Sequence, residues 1–430
     1  MEVIFRYIQN LWNRSRVSVI IAIGLGSAGL GQFIFALYPS TGFNATELSV
    51  LTLWQSISLG VGLIFGSPLN GVLFSELVLL KGNIDDPRFI GLWKSLARLC
   101  GIGLLCISIG LFASAHWLFS GDYLLVVLLF LSLVIQLVGA AQRAILSAQS
   151  QWWRFSSQFM VEGIGRVVVT TLVINSSRSS LKLLVALNVL TQLISLIVPA
   201  INHKWRPQLN APRSPVRLAT QMFIPLWLAA LAVQSLLSLA PFFSRTIGNA
   251  EPLQIAALGG LVQIVRIPVT FSSPITLPHL NRLGAFIADK VFTVIPRILR
   301  NVSIALALIW GLYALCIGVG SQLINLESVT YGSLITPRLM LAVGATSLTC
   351  PVAIFFHSSF LLLRRSREMI IAWVLAFAMY IAAMMIIGDS AAGAITAIAI
   401  GASSAIIVFF LSLLRSFDRT ISPADKSLPH

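Results

Sequence analysis

Arg166 and Arg266 each fall near the middle of an apolar run long enough to cross a bilayer. A charge at the centre of the hydrocarbon costs at least about 2.5–3.5 kcal/mol on insertion scales, so such a residue faces a bundle interior, water or a partner. The chemistry open to it there is electrostatic. A fixed guanidinium at mid-depth offsets the hydration that an anion, such as a phosphate, loses on leaving water. Glu162 precedes Arg166 by four residues, one helical turn, so the two share a face and can pair. Arg166 therefore has two readings. Either it joins Arg266 in a cationic cavity that binds an anionic substrate group, or Glu162 neutralises it and the pair ties helices together. Arg266 has no acidic residue one turn away on its own run, which makes it the stronger candidate for binding. Whether Glu162 pairs with Arg166 or reaches Arg266 across helices stays open at this level.

Other polar residues carry weaker signals. Glu76 and Arg143 sit near the inner ends of their spans, where they could form a cytoplasmic gate pair or simply meet lipid headgroups. Gln32, Gln55, Gln136, Gln192, Gln234 and Gln263 are spread over spans of both halves. They could line a wet cavity, though an amide in a span more often bonds a neighbouring helix. His357 is the one histidine within a span; it could relay protons, but a packing role is the better reading. No P-loop, nucleophile elbow or His-Glu-x-x-His helix is present, and the four cysteines have no ligand spacing. The chain thus points to no cofactor, no metal and no enzyme chemistry.

The elements that must hold these residues are membrane helices. Charged residues make up only 10% of the 430 residues and apolar ones 57%, and mean hydropathy is +0.91; such a chain lacks the polar surface to meet water all round. A net charge of +15 would suggest nucleic acid in a soluble protein. Here the basic residues sit in short loops between apolar runs, so no nucleic-acid partner is expected. Spans are predicted near 18–38, 49–77, 95–118, 123–147, 155–175, 181–201, 217–243, 253–281, 299–320, 338–362, 368–388 and 391–414. Of the 29 Lys and Arg, 23 then fall at one side, four (Arg178, Lys182, Arg245, Arg338) at the other and two inside spans. That bias puts both termini in the cytoplasm.

The predicted fold is an all-α polytopic membrane protein, with about 12 transmembrane helices in two six-helix lobes. Residues 1–17 read as an interfacial amphipathic helix, 18–202 as the first lobe, 203–216 as a proline-rich cytoplasmic linker, 217–414 as the second lobe and 415–430 as a cytoplasmic tail. The second span of each half is long and interrupted, by Gly60, Gly62, Gly66, Pro68 and Gly71 in one and by Gly259, Gly260, Pro268, Pro274 and Pro278 in the other. The shared irregularity suggests parallel repeats with hinges at Pro68, Pro268 and Pro274.

Two segments resemble a known family. Residues 253–283, with Arg266-Ile267-Pro268, a small-residue stretch and the late Pro278, resemble the eighth span of bacterial polysaccharide-export (O-antigen-type) flippases. The run Ala141-Gln142-Arg143, then Gln149, then Glu162, Gly163 and Arg166, is similar to that family's turn between spans four and five and the Glu and Arg that follow. The family belongs to the multidrug/oligosaccharidyl-lipid/polysaccharide exporter superfamily. The resemblance implies two lobes around a central cavity in a bacterial cytoplasmic membrane. It implies a lipid-linked glycan substrate, a polyprenyl-pyrophosphate-linked repeat unit, moved by alternating access among membrane lipids. Polysaccharide polymerase and glycosyltransferases would be its working partners. Several relatives carry two further helices for which this chain has no room, which points away from the lipid II branch. A multidrug or lipid exporter of the same superfamily, including a lipid II-type flippase, remains open, although Glu162 is the one acid deep in a span; a membrane-embedded glycan polymerase would need a larger outer loop than 320–337.

Overall fold

Backbone N–H and C=O groups in hydrocarbon have no water to bond, so an apolar chain satisfies them within helices. The computed structural model, which describes residues 2–176, 179–201, 216–288, 294–323, 336–363 and 365–421, is helical in every element among them. The first half holds α1 (Glu2–Leu37), α2 (Ala45–Leu79), α3 (Pro87–Ala113), the short α4 (Ala115–Phe119), α5 (Tyr123–Ala148), α6 (Trp152–Ile174) and α7 (Leu181–Ala200). The second holds α8 (Val216–Leu237), the short α9 (Ala240–Thr246), α10 (Pro252–Ala288), α11 (Ile295–Leu323), α12 (Pro337–Leu362), α13 (Ser366–Ile387) and α14 (Ala391–Ile421). Among the described residues, 11 helices are long and apolar enough to span a membrane, or 12 with α8 and α9 taken as one bent span.

Local chemistry sets the helix starts. Asn44 and Glu47 form a capping box at α2: the Glu47 N–H donates to Asn44 Oδ1 at 2.9 Å and the Asn44 N–H to Glu47 Oε2 at 3.2 Å. Asp86 accepts from the Arg88 N–H at 2.8 Å and Pro87 opens α3, so this helix begins eight residues before the predicted 95. Asp122 caps α5 through the Leu124 N–H at 3.2 Å and pairs with Lys182 at 2.9 Å. That ion pair neutralises one of the four basic residues on the sparse side.

Three further expectations meet a different structure. Residues 1–17 are not a separate element, since α1 runs unbroken into the first span. The second and eighth spans, expected to be interrupted, are the continuous helices α2 and α10 despite Pro68, Pro268 and Pro274; each proline removes one backbone bond, which neighbouring groups in a bundle can replace. The interruption falls instead in the predicted span 217–243, where α8 and α9 meet at 72°. There the Ser238 and Leu239 N–H groups both donate to the Gln234 carbonyl, at 2.8 and 2.9 Å. Pro241 has no N–H with which to carry the ladder onward. The predicted linker 203–216 lies almost entirely outside the described residues, as do most of loop 320–337 and the tail beyond 421.

The helices pack in two groups. In the first, α6 lies between α1 and α7, and α5 between α2 and α7; in the second, α12 packs on α10, α11 and α14, and α13 on α14 and α8. The groups meet along α2 with α8 and α10, and along α1 with α10. Close contacts gather at the end of the bundle away from the chain's N-terminus: the Ser56 hydroxyl donates to the Ser238 carbonyl, Gly259 faces Thr52, and Trp117 meets Phe242 edge-on at 6.5 Å.

Candidate functional site

Between the two groups lies a cavity of about 230 Å³, walled by α1, α2, α5, α6 and α10. Arg166 reaches it from α6. Its Nη2 donates to Glu162 Oε1 at 2.5 Å, its Nε to Asn188 Oδ1 on α7 at 3.1 Å, and its Nη1 to Gln32 Oε1 on α1. Arg166 is 5% exposed, and these three acceptors compensate the lost hydration of its charge. The pairing of Glu162 is thereby settled in favour of Arg166.

Arg266 reaches the same cavity from α10 under a different condition. Its Nη1 is buried and has no hydrogen-bond partner among the described residues. Buried polar atoms are normally bonded, and one that is not marks a site where a further group can bind. Arg143 enters from α5, about 8 Å of helix before its end, with its guanidinium over the Phe159 ring at 5.2 Å from the centroid. Three guanidiniums and one carboxylate therefore line this cavity, an excess of two positive charges among the described residues. The amides of Gln32, Gln136 and Gln263 complete its polar surface. Small residues on α1 keep it open, since nothing lies within 4 Å of where a side chain on Gly29 would begin. The arrangement suits an anionic group carrying hydrogen-bonding hydroxyls beside it.

Behind Arg166 a small polar pocket is bounded by Gln32, Gln55, Ser58, Asn188 and Gln192. Gln136 Nε2 donates to Ser58 Oγ at 2.8 Å, Ser58 and Ser132 hydroxyls lie 2.9 Å apart, and Ser132 donates to Gln192 Oε1 at 2.8 Å. This network ties α2, α5 and α7 together, and Asn188 on α7 links them to Arg166. Asn188, Ser58 and Ser132 went unnoticed in the sequence. The available signal was spacing: Ser132 with Gln136, and Asn188 with Gln192, are each one turn apart on an apolar helix.

Arg166, Arg266, Glu162 and Arg143 thus converge. Glu76 does not join them: it is half-buried near the end of α2, outside the cavity wall, and makes no ion pair with Arg143. The expected gate pair is absent from this conformation because Arg143 turns inward onto Phe159. Pro68 is buried within α2, Pro268 is buried two residues after Arg266, and Pro274 lies further along α10 with its side chain outside the described set. Gln234 accepts from the Ser238 hydroxyl at 2.6 Å, away from the cavity. His357 packs as expected, accepting the Trp373 indole N–H on Nδ1 at 2.9 Å.

No protein-family model matches this chain, and no curated protein does. Solved structures share its fold. An inward-facing multidrug resistance MATE family transporter of the MOP superfamily aligns with a TM-score of 0.69 at 14% identity, over 94% of this chain and 99% of the other. The lipid II flippase MurJ in an inward closed conformation aligns at 0.64 and 12% identity, over 93% and 87%. A MOP superfamily transporter from Pyrococcus furiosus, described as having a binding pocket of reverse polarity, aligns at 0.64 and 15% identity, over 95% and 96%. At such identities the likeness establishes the polytopic fold.

Proposed function

We infer that the chain is a transporter, a flippase that carries the anionic head of a polyprenyl-pyrophosphate-linked oligosaccharide or polysaccharide repeat unit across a bacterial cytoplasmic membrane. One observation carries the reading: three guanidiniums share an intramembrane cavity with a single carboxylate, and one of them, Arg266, has an unbonded buried N–H. A pyrophosphate cannot cross hydrocarbon unaided, and fixed cations at mid-depth offset its lost hydration. The amides beside them suit sugar hydroxyls. The fold supports the same reading, because its solved neighbours are named as transporters and a flippase, and two helix groups around one cavity suit alternating access. Export of cationic drugs fits less well, since Glu162, the cavity's one acid, is already engaged by Arg166.

The test is the pool of polyprenyl-linked glycans after the gene is removed, read together with surface polysaccharide. Accumulation of an unpolymerised lipid-linked repeat unit on the inner face, with loss of the surface polymer, is the expected result. Accumulation of peptidoglycan precursor would move the substrate to lipid II, and unchanged pools with lost drug resistance would replace the reading with drug export.

A further inference from the structure

Proline at 268 leaves a backbone group to be accounted for close to Arg266. In an unbroken helix the N–H of residue 268 would bond the carbonyl of Ile264, and proline has none to offer. The Tyr313 hydroxyl on α11 donates to that carbonyl at 3.1 Å. One turn earlier on α11, the Trp310 indole N–H donates to Ser272 Oγ at 2.8 Å, and the Ser272 hydroxyl donates to the Pro268 carbonyl at 2.7 Å. The two rings brace each other edge to face, with centroids 5.7 Å apart. Helix α11 therefore holds α10 on both sides of the proline, by the carbonyl two residues before Arg266 and by the carbonyl two residues after it. Two other intrahelical prolines lack this device. The Ile64 and Ser347 carbonyls, freed by Pro68 and Pro351, have no side-chain donor among the described residues.

We propose that Tyr313 is a positioning residue for Arg266, its hydroxyl standing in for the backbone bond that Pro268 deletes and so fixing the stretch of α10 from which the guanidinium enters the cavity. Trp310, acting through Ser272, is the second point of support. The proposal rests on Arg266 being an anion-binding group. It gives α11, which contributes no residue to the cavity wall, a role in the site.

The test is a set of mutant cycles on the purified full-length protein, with the Kd for inorganic pyrophosphate measured by calorimetry and folding checked by thermal unfolding. Tyr313→Phe is expected to weaken pyrophosphate binding about threefold to tenfold, the worth of one hydrogen bond. In a Pro268→Ala background, where the backbone supplies its own N–H, the same change should shift Kd by less than about twofold. In an Arg266→Gln background it should add nothing. Equal losses in the Pro268 and Pro268→Ala backgrounds, or no loss at all, overturn the proposal. If Tyr313→Phe does not fold, Ser272→Ala is read in its place, with weaker binding at an unchanged Tm expected and unchanged binding overturning. Arg266→Gln separates the two levels. Weakened binding there with none from Tyr313→Phe sinks only the positioning role, whereas unchanged binding in Arg266→Gln itself removes the reading of the site and the proposal with it.

Discussion

Arg166 and Arg266 bring the same charge to one cavity under opposite bonding conditions: Arg166 donates to Glu162, Asn188 and Gln32, while Arg266 keeps a buried Nη1 unbonded. A pyrophosphate therefore gains most from Arg266. Arg266→Gln should weaken pyrophosphate binding about tenfold to a hundredfold, the worth of a charge-assisted bond, with Arg266→Lys falling between because it keeps the charge and loses the fork. Equal binding by wild type and Arg266→Gln in a titration would show that the anion sits elsewhere. Glu162 acts in the other direction, as a resident anion that competes with the substrate for Arg166. Glu162→Gln raises the cavity's excess charge by one, so pyrophosphate should bind about threefold to tenfold tighter. Release, and with it flipping in proteoliposomes, should slow. The free variant should also melt lower, since a buried charge has lost its partner, and added pyrophosphate should restore part of the loss. Slower flipping without tighter binding would contradict this role. The charged members of the site were legible in the sequence because a charge inside an apolar run is conspicuous. Asn188, Ser58 and Ser132 were not, because small polar residues are common between membrane helices and only the fold shows that Asn188 and Ser58 share a pocket behind Arg166 and that Ser132 bonds Ser58.

The depth at which Arg166 meets Gln32 depends on how closely α1 approaches α6. Gly31 and Gly163 make that approach possible: a Cβ on Gly163 would lie 2.1 Å from the Ser27 carbonyl oxygen, and one on Gly31 would lie 2.3 Å from the Gly163 carbonyl oxygen. Both obstacles are backbone, so the helices would have to separate rather than a side chain turn aside. Gly163→Ala is expected to destabilise the protein by about 1–3 kcal/mol, and Gly163→Val by more, read as lowered Tm in detergent. Pyrophosphate binding should weaken in the same order as the α1 and α6 walls of the cavity move apart and Arg166 is drawn away from Arg266; an unchanged Tm for Gly163→Val would mean that α1 and α6 are not held this close. Element by element, length and hydropathy sufficed to find the spans, because hydrocarbon leaves a backbone so few options. The breaks were less legible. Pro68 and Pro268 read as interruptions, yet a bundle can supply the missing donor, as Tyr313 does for Ile264. The real break at Ser238–Leu239 precedes a single proline, Pro241, no more conspicuous than Pro68 or Pro268, and what closes α8 there is a pair of backbone N–H groups converging on the Gln234 carbonyl.

At the scale of the whole molecule, the two helix groups touch closely at the end away from the N-terminus, where Ser56 meets Ser238 and Thr52 meets Gly259. Arg143 and Phe159, by contrast, lie toward the N-terminal end of the cavity. If that end faces the cytoplasm, as the distribution of Lys and Arg predicts, this conformation would receive substrate from inside, and transport would require the far contacts to open. Thr52 and Gly259 offer a way to hold them shut. A Cβ built on Gly259 lies 3.1 Å from Thr52 Cβ, near the roughly 3.5–4.5 Å of a disulfide, and the bond itself replaces the contact that two free side chains could not share. With Cys100, Cys106, Cys316 and Cys350 first replaced by Ala, the pair Thr52→Cys and Gly259→Cys should cross-link under mild oxidant. The oxidised protein should bind pyrophosphate with an unchanged Kd and stop flipping, and reductant should restore transport. Continued flipping by fully cross-linked protein would mean that the two groups do not part at this end during transport, and that the substrate takes another route across the membrane. Lost binding with lost flipping would mean instead that the cross-link reaches Arg266, seven residues further along α10, and distorts the site it was meant to leave alone.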